Sequence, residues 1–262
     1  MERATWALER GDEPLLATAI HNGHEVRPEL AEMMILPEPD RLREEDPYTG
    51  TWAAVAANSI ILKVSRFEVD LNRPREKAVY VRPEDCWGLE VWNGVPSDEL
   101  IAGSLSIYDR FYDTLGSILS ELEAKHGRFV VFDVHSYNHR RHGPDVEPED
   151  PELNPQVNLG TGSMDRSRWA PVVDGFMDEL RSFPYMGGAL DVRENIKFKG
   201  GHLSTWVHEN FPDSGCCLAI EFQKFFMDEW TGEVFPDHMN AILRAMVKVR
   251  GRVLTELAKL PS

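Results

Sequence analysis

Histidines follow two apolar segments of this chain, and their position indicates a possible metal site. Phe129-Val-Val-Phe132 leads into Asp133-Val-His-Ser136, and Leu15-Leu-Ala-Thr-Ala-Ile20 leads into His21. A short apolar run with polar flanks is typical of a buried parallel strand, and open α/β sheets bind ligands beyond the carboxyl ends of such strands. We therefore expect His135 just beyond its strand and His21 nearby, although either histidine alone is more often an ordinary hydrogen-bonded residue. Catalytic zinc usually takes three histidine or carboxylate ligands.

Two arginines follow a third apolar segment, at residues 60–64. The stretch Ser65-Arg-Phe-Glu-Val-Asp-Leu-Asn-Arg73 brings Arg66, Asp70 and Arg73 close together in the chain. A guanidinium group binds a carboxylate through two parallel hydrogen bonds, and it can also stabilise a developing oxyanion. This stretch therefore predicts an anion-binding element, with a surface ladder of ion pairs as the alternative.

Glu221 interrupts a fourth apolar segment, Cys217-Leu-Ala-Ile-Glu-Phe222. A carboxylate inside a strand must be paired, open to a pocket or shifted in pKa, because an unpaired buried charge is costly. The same setting suits a general base. A structural ion pair with lysine or arginine is the alternative for Glu221.

The elements that must position these groups alternate between strands and helices. Strands are predicted at 15–20, 60–64, 129–134 and 217–222, and amphipathic helices at 98–125, 169–181 and 239–260. This alternation predicts an α/β fold with a mostly parallel central sheet flanked by helices. A length of 262 residues with 42% hydrophobic residues suits a single domain over 1–262. The proline-rich residues 138–155 predict a loop that is long enough to be functional or mobile.

The charge and hydropathy of the chain exclude several classes of partner. A net charge of −16 argues against binding to nucleic acid, while leaving room for a small anionic substrate in a pocket that concentrates arginines. No apolar segment reaches the ~20 residues that span a bilayer, and the start lacks a signal-peptide core, so we expect a cytoplasmic protein without membrane contact. Cys86, Cys216 and Cys217 have no metal-binding spacing, and we expect reduced, buried thiols.

Several motifs together resemble the N-formylglutamate amidohydrolase family, which is related to aspartoacylase and the zinc carboxypeptidases. Each motif alone is weak, but they follow the family's order over most of the chain. The motifs are Ile20-His-Asn-Gly23, the stretch from Arg66 to Pro74, Asp133-Val-His-Ser136, Asn158-Leu-Gly-Thr161, the stretch from Asn195 to Gly201, and Ile220-Glu-Phe222.

The resemblance implies a fold like that of the zinc carboxypeptidases and phosphorylase-hydrolases, and a zinc-dependent hydrolase of linear amide bonds. Its substrate would be a small N-acyl amino acid, with a formyl-like group on an acidic or small residue. Zn²⁺, or another divalent transition metal, would be held by His21, His135 and a third ligand. The resemblance assigns Glu221 as the general base and Arg66 to the oxyanion. It assigns the substrate contacts to Asn72, Arg73, Asn195, Lys199 and Gly201, and Asp133 to the orientation of His135.

Departures from the family pattern leave the third ligand open. Ile20 replaces the family's proline, and His24 stands where the relatives carry a glutamate ligand. The candidates are His24, Glu25 and Asp46, since zinc accepts imidazole and carboxylate alike. Because of these departures there is an alternative function: the protein could be a non-catalytic member of the family that binds a metal or an acyl-amino acid. A serine hydrolase that uses Ser136 is disfavoured, because no Gly-x-Ser-x-Gly motif surrounds this serine.

Overall fold

Strands and helices alternate along the computed structural model, which describes residues 3–260. The strands are β1 (Trp6–Glu9), β2 (Leu15–Ala19), β3 (Asn58–Leu62), β4 (Phe129–Tyr137), β5 (Val157–Gly160), β6 (Val192–Glu194) and β7 (Gly215–Gln223). The α-helices are α1 (Pro28–Ala31), α2 (Glu38–Glu44), α3 (Thr49–Ala53), α4 (Asp98–His126), α5 (Ala170–Ser182), α6 (His202–Asn210) and α7 (Pro236–Lys259). Two short 3₁₀ helices cover Arg75–Lys77 and Pro83–Asp85.

The strands form one mixed sheet in the order β1-β3-β2-β4-β7-β5-β6. Its four central strands, β3, β2, β4 and β7, run parallel to one another. The predicted α/β fold with a largely parallel centre is therefore confirmed. At the two sides, β1 pairs antiparallel with β3, and β5 pairs antiparallel with β7, which we did not predict.

Helices cover both faces of the sheet, and alternate residues of β4 enter two separate cores. Val130 and Phe132 pack with residues of α3, α5 and α7, whereas Phe129 and Val131 pack with residues of α4 and α6. A strand that is buried on both faces needs apolar residues at successive positions. This requirement explains the continuous apolar runs of the sequence.

The predicted elements agree with the structure, with one correction. The predicted helices at 98–125, 169–181 and 239–260 correspond to α4, α5 and α7, and α4 begins where the Ser97 side chain accepts a hydrogen bond from Leu100 N. Our placement of His135 beyond its strand is wrong, because β4 continues to Tyr137. The strand is longer because its ladder with β7 pairs every residue up to Gln223. All three cysteines are buried and free.

No helix between residues 3 and 260 is both long enough and apolar enough to cross a bilayer.

Candidate metal centre and active site

Three buried side chains meet at the carboxyl ends of the central strands. His21 follows β2, His135 lies in β4, and Asp46 comes from the segment between α2 and α3. Each of them is 3% exposed. Asp46 Oδ2 lies 3.3 Å from His21 Nδ1 and 3.0 Å from His135 Nδ1, and one ligand atom from each residue falls within 4.8 Å of the other two.

The far nitrogen of each imidazole faces another carboxylate. His21 Nε2 lies 2.7 Å from Asp70 Oδ1, and His135 Nε2 lies 3.0 Å from Asp133 Oδ2 without a well-aligned hydrogen bond. An ionised carboxylate only accepts hydrogen bonds, so His21 Nε2 donates to Asp70, while Nδ1 of each ring faces Asp46, to which it donates without a metal and beside which it would be the ligand atom for one. Carboxylates behind histidine ligands orient the rings in this way at metal sites.

The donor set and its spacing fit a divalent metal ion. Ligand atoms bound tetrahedrally at ~2.1 Å lie roughly 3.4 Å from one another, close to the measured separations from Asp46 Oδ2. Two imidazoles and one carboxylate suit zinc and other divalent transition metals. His21, Asp46 and His135 are therefore the residues that could hold the metal.

The electrostatics of this group favour positive charge. Burial alone would raise the pKa of Asp46, but hydrogen bonds from His135 and His21 outweigh burial and hold this pKa below its ordinary range. Burial alone would lower the pKa of His135, but Asp133 and Asp46 outweigh it and raise this pKa well above its ordinary value. The site thus attracts a positive charge, either a proton or a metal ion.

The structure does not bring His24 or Glu25 to this group. His24 Nδ1 lies 2.5 Å from Glu45 Oε2, and Arg41 Nη2 lies 2.6 Å from His24 Nε2. Glu25 is exposed and lies 3.4 Å from Arg3. Of the three candidates for the third ligand, the geometry favours Asp46.

Glu221 lies beside the group, on the strand next to His135. The register of β4 and β7 pairs the two residues directly, and Glu221 lines the cavity at the ends of these strands. Burial raises the pKa of Glu221 to about 8, and Asp46 and Asp133 add to this effect against the opposing His135. A carboxyl group with a raised pKa in a cavity can both accept and return a proton.

Arg66 forms another wall of the cavity. Its Nη2 donates to Asp70 Oδ2 at 2.9 Å, its Nη1 donates to Glu44 O at 3.1 Å, and its guanidinium lies 4.8 Å from the ring centroid of Trp87. Burial alone would raise the pKa of Asp70, but Arg66 and His21 outweigh it and hold the pKa well below its ordinary value. Asp70 therefore orients His21 and Arg66 together.

Asn72, Arg73 and Gly201 line the same cavity of about 350 Å³. Asn72 Oδ1 accepts a hydrogen bond from Leu203 N at 3.0 Å, at the start of α6. A side chain at Gly201 would overlap this amide, since its Cβ would lie 2.2 Å from Asn72 Oδ1. Arg73 is half-buried, and among residues 3–260 its side chain has only a 3.7 Å ion pair with Asp70. Its guanidinium is thus available to a ligand.

The structure does not place Asn195 and Lys199 on the cavity wall. Asn195 Oδ1 accepts from Thr161 N, and Asn195 Nδ2 donates to Thr161 Oγ1. This pair of bonds holds the segment after β6 against β5. Lys199 is exposed, and its backbone oxygen accepts a hydrogen bond from Gly162 N at 2.7 Å.

Several cavity residues were not predicted from the sequence. Arg141, in the 138–155 segment, lies 3.4 Å from the buried Glu44, and the buried Lys224 also lines the cavity. The only sequence signal for Arg141 was the long loop, and Lys224 lies three positions after Glu221. The other unpredicted lining residues that carry charge or aromatic rings are Arg43, Trp87, Tyr137 and Phe198.

Comparisons with known proteins test the family and the fold of this chain. The family model for N-formylglutamate amidohydrolase matches residues 13–227. The structure of N-formylglutamate amidohydrolase from Ralstonia eutropha JMP134 is similar, with a TM-score of 0.74, 16% identity, and coverage of 96% of this chain and 98% of that chain. A gene product of Agrobacterium tumefaciens has a TM-score of 0.69, 17% identity, and coverage of 97% and 96%.

The comparison with curated proteins gives no match. At these low identities the two structures show a shared fold, whereas the family match extends from before β2 to beyond β7 and so includes His21, Asp46, His135 and Glu221. Fold, site and family match therefore point the same way, and the chain belongs to the N-formylglutamate amidohydrolase family.

Proposed function

We propose that this protein is a metal-dependent amidohydrolase that removes a small acyl group from an N-acyl amino acid. The observation that carries the proposal is the buried group of His21, Asp46 and His135, with Glu221 on the adjacent strand. A divalent metal held by the three ligands would polarise the amide carbonyl and supply a water of lowered pKa. The family membership supports the amide bond as the target.

Glu221 is the proposed general base. It accepts a proton from the attacking water as the new C–O bond forms, and it returns this proton to the amine nitrogen as the C–N bond breaks. The products are a carboxylic acid and a free amino acid. Its raised pKa, which reflects burial, makes the carboxyl group a competent proton donor in the second half of this cycle.

Arg66 is the proposed stabiliser of the charge that develops on the carbonyl oxygen. Asp70 and the backbone of Glu44 hold its guanidinium before substrate arrives, so little reorganisation is needed during the reaction.

Arg73 and Asn72 are the proposed partners of the substrate's α-carboxylate. Several arginines around one cavity of an acidic chain favour an anionic substrate over a neutral one.

Removal and return of the metal test this function. Protein treated with a chelator should lose hydrolysis of N-formyl and N-acetyl amino acids, and it should recover with about one equivalent of Zn²⁺. The His238→Ala variant is the control and should lose and recover activity as the wild-type protein does. His238 is a half-buried histidine that forms a hydrogen bond with Tyr185 on another part of the molecule. Activity that survives full metal removal contradicts the proposal. Stoichiometric binding of metal and acyl-amino acid without turnover would instead favour the non-catalytic alternative.

A further inference from the structure

Asp46 is the metal-ligand candidate with the least regular structure around it. The residues between α2 and α3 form no helix or strand, whereas the two histidines lie in or directly after strands. Asp46 N donates to His21 O at 2.9 Å, and Asp46 O accepts from the Thr49 hydroxyl at 2.7 Å, so the first bond ties the backbone of Asp46 to another segment and the second is local. A metal ligand must be held to within about 0.5 Å to be preorganised. Other groups must therefore hold this segment in place.

Lys224 holds the segment from the side of the sheet. Lys224 is 1% exposed, and its Nζ donates to Arg43 O at 2.5 Å and to Glu45 O at 2.7 Å. No carboxylate among residues 3–260 comes within ion-pair distance of it. A buried ammonium without a carboxylate partner lowers the stability of the folded protein. Its two hydrogen bonds to the backbone beside Asp46 therefore indicate a role other than stability.

Glu45 holds the segment from the opposite side, through its side chain. The carboxylate is buried, and it accepts hydrogen bonds from His24 Nδ1 at 2.5 Å and from the Ser65 hydroxyl. Arg41 Nη2 donates to His24 Nε2 at 2.6 Å, so this nitrogen is the acceptor and Nδ1 carries the proton toward Glu45. The residue next to Asp46 is thus fixed to the segments that follow β2 and β3.

We propose that Lys224 and the His24–Glu45 pair are positioning residues, which hold the Asp46 carboxylate at the metal site. This inference rests on the proposed metal centre. Because Lys224 lies three positions after Glu221, it also ties the loop that carries the metal ligand to the strand that carries the general base. Removal of Lys224 should therefore weaken metal binding and also lower kcat when the metal is saturating.

Metal affinity measured by competition with a chromophoric chelator tests the inference apart from turnover. Lys224→Met and His24→Ala should each weaken Zn²⁺ binding by about 10- to 100-fold, as expected when the partners of a ligand are removed. Lys224→Gln and His24→Asn, which restore an N–H donor near the lost one, should recover part of the affinity. The Co²⁺ absorption spectrum should shift in the two weakened variants, because the geometry of the ligands changes.

Lys224 also lines the cavity, and a contact with substrate is the competing role. A substrate contact would raise KM and leave the metal Kd unchanged, which would overturn the inference. Equal metal Kd values for Lys224→Met, His24→Ala and the wild-type protein would overturn it as well. Thermal unfolding of each variant identifies those that fail to fold, and the glutamine and asparagine variants then carry the test.

A double-mutant cycle separates this inference from the proposed function. If Lys224 acts through Asp46, Lys224→Met should add no further loss of metal affinity in an Asp46→Ala background. A full additional loss in that background would contradict the positioning role. An Asp46→Ala variant with wild-type metal affinity would contradict the metal centre itself. His238→Ala again serves as the control that leaves the metal Kd unchanged.

Discussion

At the scale of single residues, the proton transfer assigned to Glu221 makes the first prediction. Glu221→Gln keeps the size of the side chain and removes the base, so kcat should fall by about 10²- to 10⁴-fold. The metal Kd should stay close to that of the wild-type protein, because Glu221 is not among the proposed ligands. Steady-state kinetics and chelator competition measure the two quantities. A large loss of metal affinity with little loss of kcat would reassign Glu221 as a ligand.

The raised pKa of Glu221 also predicts how the metal-free protein responds to pH. Burial raises this pKa from 4.5 to about 8, so the folded protein favours the protonated form. The stability contributed by this group is complete below pH 4.5 and is lost as pH rises through 8. Metal-free Glu221→Gln should therefore gain stability over the wild-type protein as pH rises from 5 to 8. Urea unfolding along this pH range provides the measurement, and a constant difference would contradict it.

Arg73 makes a prediction about the substrate's carboxylate. Arg73→Lys keeps the charge but loses the two-pronged geometry, at a cost of ~1.5–3 kcal/mol. We expect kcat/KM to fall by about one to two orders of magnitude for acid substrates. For the matched amide, which has no carboxylate, the loss should nearly vanish. Equal losses on both substrates would show that Arg73 is structural.

At the scale of elements, Asn158 on β5 organises the segment after β6 that reaches the cavity. Its side chain is buried, and Oδ1 accepts hydrogen bonds from Ile196 N at 3.0 Å and Lys197 N at 2.9 Å, while Nδ2 donates to Phe198 O at 2.8 Å. These bonds explain why an asparagine precedes Leu159-Gly-Thr161. The Asn158 side chain therefore provides hydrogen-bond partners for these three backbone groups of the segment.

Loss of Asn158 should affect both stability and substrate binding. Asn158→Ala leaves buried backbone groups unpaired, so the free energy of unfolding should drop by about 2–4 kcal/mol. KM should rise more than kcat falls, because Phe198 and Gly200 on this segment line the cavity. Asn210→Ala, at the exposed last residue of α6, is the matched control and should change little. Wild-type stability of Asn158→Ala, measured by urea unfolding, would contradict this role.

At the scale of the whole molecule, His208 makes the stability of the folded protein depend on pH. It joins α6 to β7 and to the segment after β5, since Nε2 accepts from Cys217 N at 2.9 Å and Nδ1 lies 2.8 Å from Ser163 Oγ. Burial lowers the pKa of His208 to about 4. The stability that it contributes is therefore present above pH 6.5 and is lost as pH falls toward 4.

Removal of His208 should flatten this pH dependence. Between pH 7 and 4.5 the wild-type protein should lose roughly 2–3 kcal/mol more than His208→Leu, after which the imidazole no longer titrates. Chemical unfolding at several pH values measures the slopes. His142→Leu, at an exposed histidine, should keep the wild-type slope. Identical slopes for wild type and His208→Leu would exclude His208 as a source of acid sensitivity.

The sequence by itself determined the central strands and the chemistry at their ends. β2, β3, β4 and β7 are buried on both faces, so their apolar runs are visible locally, and parallel strands bring their carboxyl ends to one edge. His21, His135 and Glu221 could therefore be predicted as one site. The outer strands gave no such signal, because β1 is mostly exposed and β5 and β6 span only four and three residues.

Only the tertiary structure favours one residue as the third member of the candidate metal group. Spacing along the chain left His24, Glu25 and Asp46 equivalent, because the contribution of a loop depends on long-range packing rather than on local pattern. The ammonium of Lys224, far away in sequence, donates to the backbone oxygens of Arg43 and Glu45, and in our proposal these two bonds hold Asp46 beside the histidines. His24 instead lies against the Glu45 carboxylate and does not join the group of His21, Asp46 and His135.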